Sequence, residues 1–191
     1  MKRLICCGWR LLLVLLAMML PCSVADAGGP VVVSVKPARG NYRVGELIAV
    51  EVWAENITNL YGADVRLTFD PAKLTVVDAD PTRPGVQVTP RADLLSPDFV
   101  VRREADNQAG TIWYAATQIN PREPASGSGA LFAFVLRALS PGLHSVRIQH
   151  QQLSTRDAEL IPADTQDARY WASIDGGAPW ILFVPYLYAG R

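Results

Sequence analysis

The chain contains two histidines, His144 and His150, six residues apart in an apolar run that reads as a strand. An even separation puts both on one face, but roughly 20 Å apart at the rise of a strand, too far to share a metal, so they read as two edge histidines. Ser126-Gly127-Ser128-Gly129 supplies hydroxyls without the strand–turn–helix setting that exposes a nucleophilic serine, and reads as a flexible loop. The carboxylate pairs Asp78/Asp80 and Asp157/Glu159 have the same-face spacing of a glycosidase dyad, which would also need one member buried with a raised pKa. Asp78-Ala79-Asp80-Pro81 is more simply a turn cap, offering at most carboxylate oxygens to a structural calcium. Asn56-Ile57-Thr58 has the form of a glycosylation acceptor, a pattern that chance produces often. No catalytic constellation emerges, and the chain is read as non-enzymatic, with no catalytic and no metal-ligating residues.

A face able to bind is more apparent. Over 59–79 the sequence NLYGADVRLTFDPAKLTVVDA places Ala63, Val65, Leu67 and Phe69 on one side of a strand and Asp64, Arg66, Thr68 and Asp70 on the other, the period of two of a half-buried strand. Asp70-Pro71 stops it, because proline lacks the ladder donor, and Leu74, Val76 and Val77 begin the next run, so the segment reads as two edge-to-edge strands joined by a fixed corner. The outward Asp64, Arg66 and Thr68 supply acceptors, a forked donor and a hydroxyl. In 111–118, Trp113 and Ala115 alternate away from Ile112, Tyr114 and Ala116, which makes Trp113 either an exposed anchor or, with the faces reversed, core. Exposed Trp53, Tyr61, Trp113, Tyr170 and Trp171 could instead stack on sugar rings, although their spread over several runs argues for scattered packing.

These elements belong to an all-β chain. Further runs at 31–37, 47–56, 86–89, 99–104, 130–138, 144–150, 154–160 and 169–174 are punctuated by Pro, Gly, Asp and Asn, the rhythm of a two-sheet β-sandwich of jelly-roll type with about nine strands. Segment 128–139 fits a helical period almost as well, but its glycine entry and aromatic content favour a strand. The polar stretch 121–129 reads as an exposed connection at an end or edge of the sandwich.

The order of several motifs resembles the cohesin family: Val44-Gly45-Glu46 before an apolar strand, Gly62 opening the next, Phe69-Asp70-Pro71 closing it, Leu74-Thr75-Val76-Val77 after it, then Ala109-Gly110-Thr111-Ile112-Trp113-Tyr114 and Ser128-Gly129-Ala130-Leu131-Phe132-Ala133-Phe134. The similarity spans 31–176. It implies a non-catalytic module that docks a dockerin, a small calcium-loaded helical module, on a flat sheet face carrying Gly62, Asp64, Arg66, Thr68, Trp113, Ala115 and Gln118. Asp64 matches a position where the family often holds an acidic residue that accepts from a dockerin Ser or Thr. Gly62 stands where Asn is frequent, and Gln118 where an acid is common, which leaves the dockerin class open. The implied calcium is the dockerin's, so no cofactor is expected on this chain. A carbohydrate-binding module or a structural cell-envelope sandwich is the alternative.

Residues 1–27 have a basic start at Lys2, Arg3 and Arg10, an apolar core over 11–20, and small residues at Ala25 and Ala27, the layout of a cleaved signal peptide. The core is short of the roughly twenty apolar residues of a membrane span, and Pro21 before Cys22 departs from a lipidation site. Cys6, Cys7 and Cys22 all lie in that leader, so the exported domain of 28–176 is held by its core rather than by disulfides. The leader takes three of the 18 basic and one of the 18 acidic side chains, leaving 15 against 17 and a net charge of about −2, with no basic run to attract nucleic acid. The tail 177–191, APWILFVPYLYAGR after its glycine, reads as a strap over the sandwich or a surface-sorting tag. The chain is expected outside the cell or at its surface, with polysaccharide, cell-surface attachment and a homodimer as further open partners.

Overall fold

The computed structural model describes residues 29–176; the leader and the tail assigned above lie outside the described residues. Fourteen strands form two sheets that pack face to face. They are β1 (Val32–Lys36), β2 (Arg39–Arg43), β3 (Leu47–Leu60), β4 (Gly62–Phe69), β5 (Leu74–Val77), β6 (Val86–Gln87), β7 (Thr89–Pro90), β8 (Phe99–Asp106), β9 (Thr111–Thr117), β10 (Ala125–Ala138), β11 (Gly142–Ser154), β12 (Leu160–Ile161), β13 (Asp164–Gln166) and β14 (Ala168–Ser173). The first sheet runs β13-β1-β3-β10-β5, with β7 also on β10. The second runs β2-β14-β11-β4-β9-β8-β6, with β12 on β11. Of the five strands beyond nine, four are pairings of two or three residues, too short to leave a hydrophobic period in the sequence, and the fifth is β2, whose RGNYR is mostly polar.

Alternation dictates which side each strand buries. In β3, Ile48, Val50, Val52 and Ala54 are at most 1% exposed, and in β4 Val65 and Leu67 are fully buried. Each such aliphatic side chain removed from water contributes about 1.5–3 kcal/mol. Tyr114 of β9 stacks on Phe132 of β10 with ring centroids 4.6 Å apart, which ties the second sheet to the first through the centre of the core. Burial pushes the Tyr114 hydroxyl up to about 12.

Several local expectations change. The Asp70-Pro71 corner does not join two neighbouring strands: β4 lies in the second sheet and β5 in the first, so the corner carries the chain across the sandwich. Segment 128–139 is indeed strand, yet β10 begins earlier, at Ala125. Ser126 and Ser128 are therefore in a bulged ladder rather than a free loop, and their hydroxyls accept the amides of Asn59 and Asn56, two residues at positive φ in β3. The expected strand over 154–160 is instead a turn between β11 and β12, where the Ala158 amide donates to the Thr155 carbonyl.

Both histidines lie on β11, but an irregularity between Ile148 and His150 breaks the even count and turns them to opposite faces. His144 is 1% exposed, its Nε2 2.8 Å from the Ser140 carbonyl, while His150 is exposed. Neither is at an edge, since β11 runs between β14 and β4. The turn that aligns β8 with β9 demands a glycine at Gly110, where φ is +69° and a Cβ would collide with the Phe69 carbonyl that adjoins it. Asp106 completes the turn by accepting the Gln108 and Ala109 amides.

Candidate functional site: the outer face of the second sheet

Register places side chains on this face in rows that cross the strands. One row runs Leu160, Ser154, Gly62, Thr117, Phe99, each residue directly opposite the next on β12, β11, β4, β9 and β8. Its ends are apolar and exposed, Leu160 by 65% and Phe99 by 54%, and four strand spacings set them about 19 Å apart. Between them Gly62 and, one row on, Ala115 form a low floor of small, buried residues, and Ser154 Oγ lies 2.9 Å from where a Cβ on Gly62 would stand. Gly62, Asp64, Val101, Ala115, Thr117, Gln152 and Ser154 enclose a shallow depression of about 230 Å³ there. Val101 is an extra residue, inserted where the β8–β9 register slips between Val100 and Arg102, and the slip leaves it outward and 55% exposed.

The next rows are polar. Gln152, Asp64, Ala115 and Arg102 form one, and His150, Arg66, Trp113 and Glu104 another. Trp113 is half-buried and held from three sides. Its Nε1 donates to Asp64 Oδ1 at 3.0 Å, the Arg66 guanidinium lies 4.2 Å from the ring centroid, and the Arg102 guanidinium 5.0 Å. Arg66 also approaches Asp64 at 3.5 Å, and Arg102 pairs with Glu104 at 2.9 Å. Trp113 thus points outward, and its flanks are taken by guanidinium groups drawn to the negative ring face. Such an arrangement fixes three rotamers before a partner arrives, so less side-chain entropy remains to be lost on binding.

Of the seven residues expected to share this surface, six do: Gly62, Asp64, Arg66, Thr68, Trp113 and Ala115 occupy adjoining positions on β4 and β9. Gln118 does not. It follows the end of β9, its amide donates to the Tyr61 carbonyl, and only 5% of it is exposed, because the parity that turns Trp113, Ala115 and Thr117 outward turns Gln118 inward. Phe99, Val101, Arg102, Leu160 and His150 complete the surface. Alternation could have found Phe99, but Val101 and His150 depend on bulges that leave no mark in composition.

The aromatics do not assemble into a sugar platform. Tyr170 is fully buried and Tyr61 9% exposed, Trp53 lies on the first sheet with the Lys36 ammonium 4.4 Å over its ring, and Trp171 pairs with β11 far from Trp113. Among the described residues no group of three or more His, Cys, Asp or Glu side chains could hold a metal ion, and no helix is long and apolar enough to cross a membrane. Asp80 is committed to Arg103 at 2.8 Å and Arg83 at 3.4 Å, and Asp78 to the Asp80 and Gln87 amides.

Comparison with known proteins gives one answer. A profile of the cohesin domain matches residues 31–164. Among solved structures, the seventh ScaB type I cohesin from Pseudobacteroides cellulosolvens superposes with a TM-score of 0.61 at 14% identity, over 78% of this chain and 95% of that one. A non-cellulosomal cohesin from the hyperthermophilic archaeon Archaeoglobus fulgidus gives 0.59 at 16%, over 76% and 92%. The Coh-OlpA–Doc918 type I cohesin–dockerin complex from Clostridium thermocellum gives 0.59 at 12%, over 76% and 100%. No curated protein matches. With the domain profile covering most of the described sandwich and the fold agreeing throughout, the chain belongs to the cohesin family.

Proposed function

We propose that this protein is a secreted, non-catalytic adaptor that docks calcium-loaded dockerin modules on the outer face of β11, β4, β9 and β8. The observation that carries the reading is the build of that face: a shallow depression floored by the small residues Gly62 and Ala115, exposed apolar residues at both ends of the row, and Trp113 held by Asp64, Arg66 and Arg102. A rigid, flat, partly apolar surface centred on one aromatic concentrates binding energy in few contacts, while charged neighbours set specificity. Asp64 keeps its second oxygen for a partner hydroxyl, since the contacts with Trp113 and Arg66 both fall on Oδ1. The calcium belongs to the partner, whose loops it orders, and this chain needs no ion of its own.

Titration calorimetry of the full chain against calcium-loaded dockerin modules encoded by its source organism tests the reading. Saturable heat that a chelator abolishes and Asp64→Ala weakens about tenfold is the expected result. Absence of heat with every such dockerin removes the adaptor function.

A further inference from the structure

The same face carries a charge pattern that the docking reading does not by itself require. Arg39 of β2 stands directly opposite Arg169 of β14, and Arg169 opposite Ser145 of β11. Arg147 lies two residues beyond Ser145 on the same side of β11, opposite Thr68. All three arginines are exposed, and none makes an ion pair among the described residues.

Of the acids nearby, two are engaged away from these arginines and two pair with arginines of the site itself. Asp167 accepts the Ile148 amide, Asp70 pairs with Lys73 at 3.0 Å, Asp64 faces Arg66 and Trp113, and Glu104 pairs with Arg102. Like charges directly opposite on neighbouring strands oppose folding, so Arg39 and Arg169 are a cost that the fold retains.

The three arginines continue into the site. One row on from Arg147 comes Arg66, opposite His150, then Trp113 with Glu104 across from it, and Arg102 stands one row further along. The result is a cationic diagonal from β2 to β8 that spans five strand spacings, about 24 Å measured across the strands. It crosses a chain whose basic and acidic side chains are equal in number, 18 of each. The cations are gathered here, not in excess overall.

We propose that the docked partner is a protein that presents a complementary line of carboxylates along this diagonal, an inference that rests on the reading of this sheet as the docking face. A folded protein is favoured over an acidic polysaccharide because the diagonal shares Arg66 and Arg102 with Trp113 and borders the exposed Phe99 and Val101. A surface that mixes apolar anchors with cations suits a partner that mixes apolar residues with acids.

The test compares the full chain with the triple variant R39Q/R147Q/R169Q, none of whose positions touches Trp113. Thermal melting verifies the fold, with the midpoint expected unchanged or raised as like charges are relieved. The first probe is the calcium-loaded dockerin found by calorimetry, titrated from about 50 to 500 mM salt. The triple variant should bind about tenfold more weakly at low salt and show a shallower salt dependence; an affinity and salt slope equal to the parent's overturns the proposal. The second probes, used whether or not any dockerin binds, are poly-L-glutamate and polygalacturonate. Retention of poly-L-glutamate by the parent and its loss in the variant sustains the diagonal even if the dockerin reading fails. Retention of polygalacturonate alone, or of neither polymer, overturns it.

Discussion

The two outer faces of the sandwich are made of the same parts and end in different states. On the first sheet Trp53 donates to Glu51 at 2.9 Å, Lys36 covers its ring and bonds Glu55 at 2.7 Å, Ser34 donates to Glu55, and Arg91 donates to Glu51 at 2.9 Å. Lys36 and Arg91 each have a carboxylate and the network around Trp53 closes on itself, with Arg137 and the exposed Leu47 outside it. On the second sheet Trp113 is held in the same way, but among the described residues three arginines make no ion pair and four apolar side chains, Phe99, Val101, Leu143 and Leu160, stay exposed. An aromatic with charged neighbours is therefore no mark of a binding face. What distinguishes one is the surplus left after internal partners are counted, because only unmatched groups gain by contact with another molecule.

The largest expected effect that tests this contrast is on docking itself. Trp113→Ala should weaken dockerin binding by about 2 kcal/mol or more, whereas Trp53→Ala should leave it unchanged. Equal losses in calorimetry would mean that the faces are not functionally distinct.

An acid titration sharpens the comparison from the other side. The hydrogen bond from Lys36 holds the Glu55 carboxyl below its ordinary value of 4.5. With the folded pKa lowered, the stabilisation is present above about 4.5 and is lost as pH falls through the folded value. Thermal melts should accordingly lose part of their low-pH slope in Glu55→Gln, with dockerin affinity at neutral pH unaltered. A slope identical to the parent's would show that the first-sheet network is not what acid disrupts.

The smallest effect separates matched from unmatched arginines. Arg91→Gln should lower stability by a few tenths of a kcal/mol, about what an exposed ion pair contributes. Arg169→Gln should raise it by a few tenths of a kcal/mol by relieving an exposed like-charge pair across the parallel β14–β2 ladder. Denaturant melts that give both changes the same sign would erase the distinction.

Much of this was legible in the residues. The alternation of 63–69 named the buried and outward sides of β4, while that of 111–117 sorted β9 into two faces and left open which was buried; register sets Trp113 and Ala115 outward beside Asp64 and Arg66. Misreadings cluster where backbone geometry breaks the count. The irregularity at Ile148/His150 separated two histidines that parity put together, and the slip at Val100/Arg102 exposed Val101. Gln118 failed for a simpler reason, since it has the buried parity of its strand and its family position outweighed that sign.

By itself the sequence determined the class of fold and the two faces of each well-formed strand, because hydrophobic period and proline or glycine punctuation are local properties that act before any strand finds its neighbour. Only the tertiary structure decided which strands became neighbours, and with that which charges met a partner. Arg39, Arg147 and Arg169 are far apart along the chain and ordinary one at a time. The order β2-β14-β11 sets them on one surface, and pairing across a sheet couples residues whose separation in sequence carries no signal of their meeting.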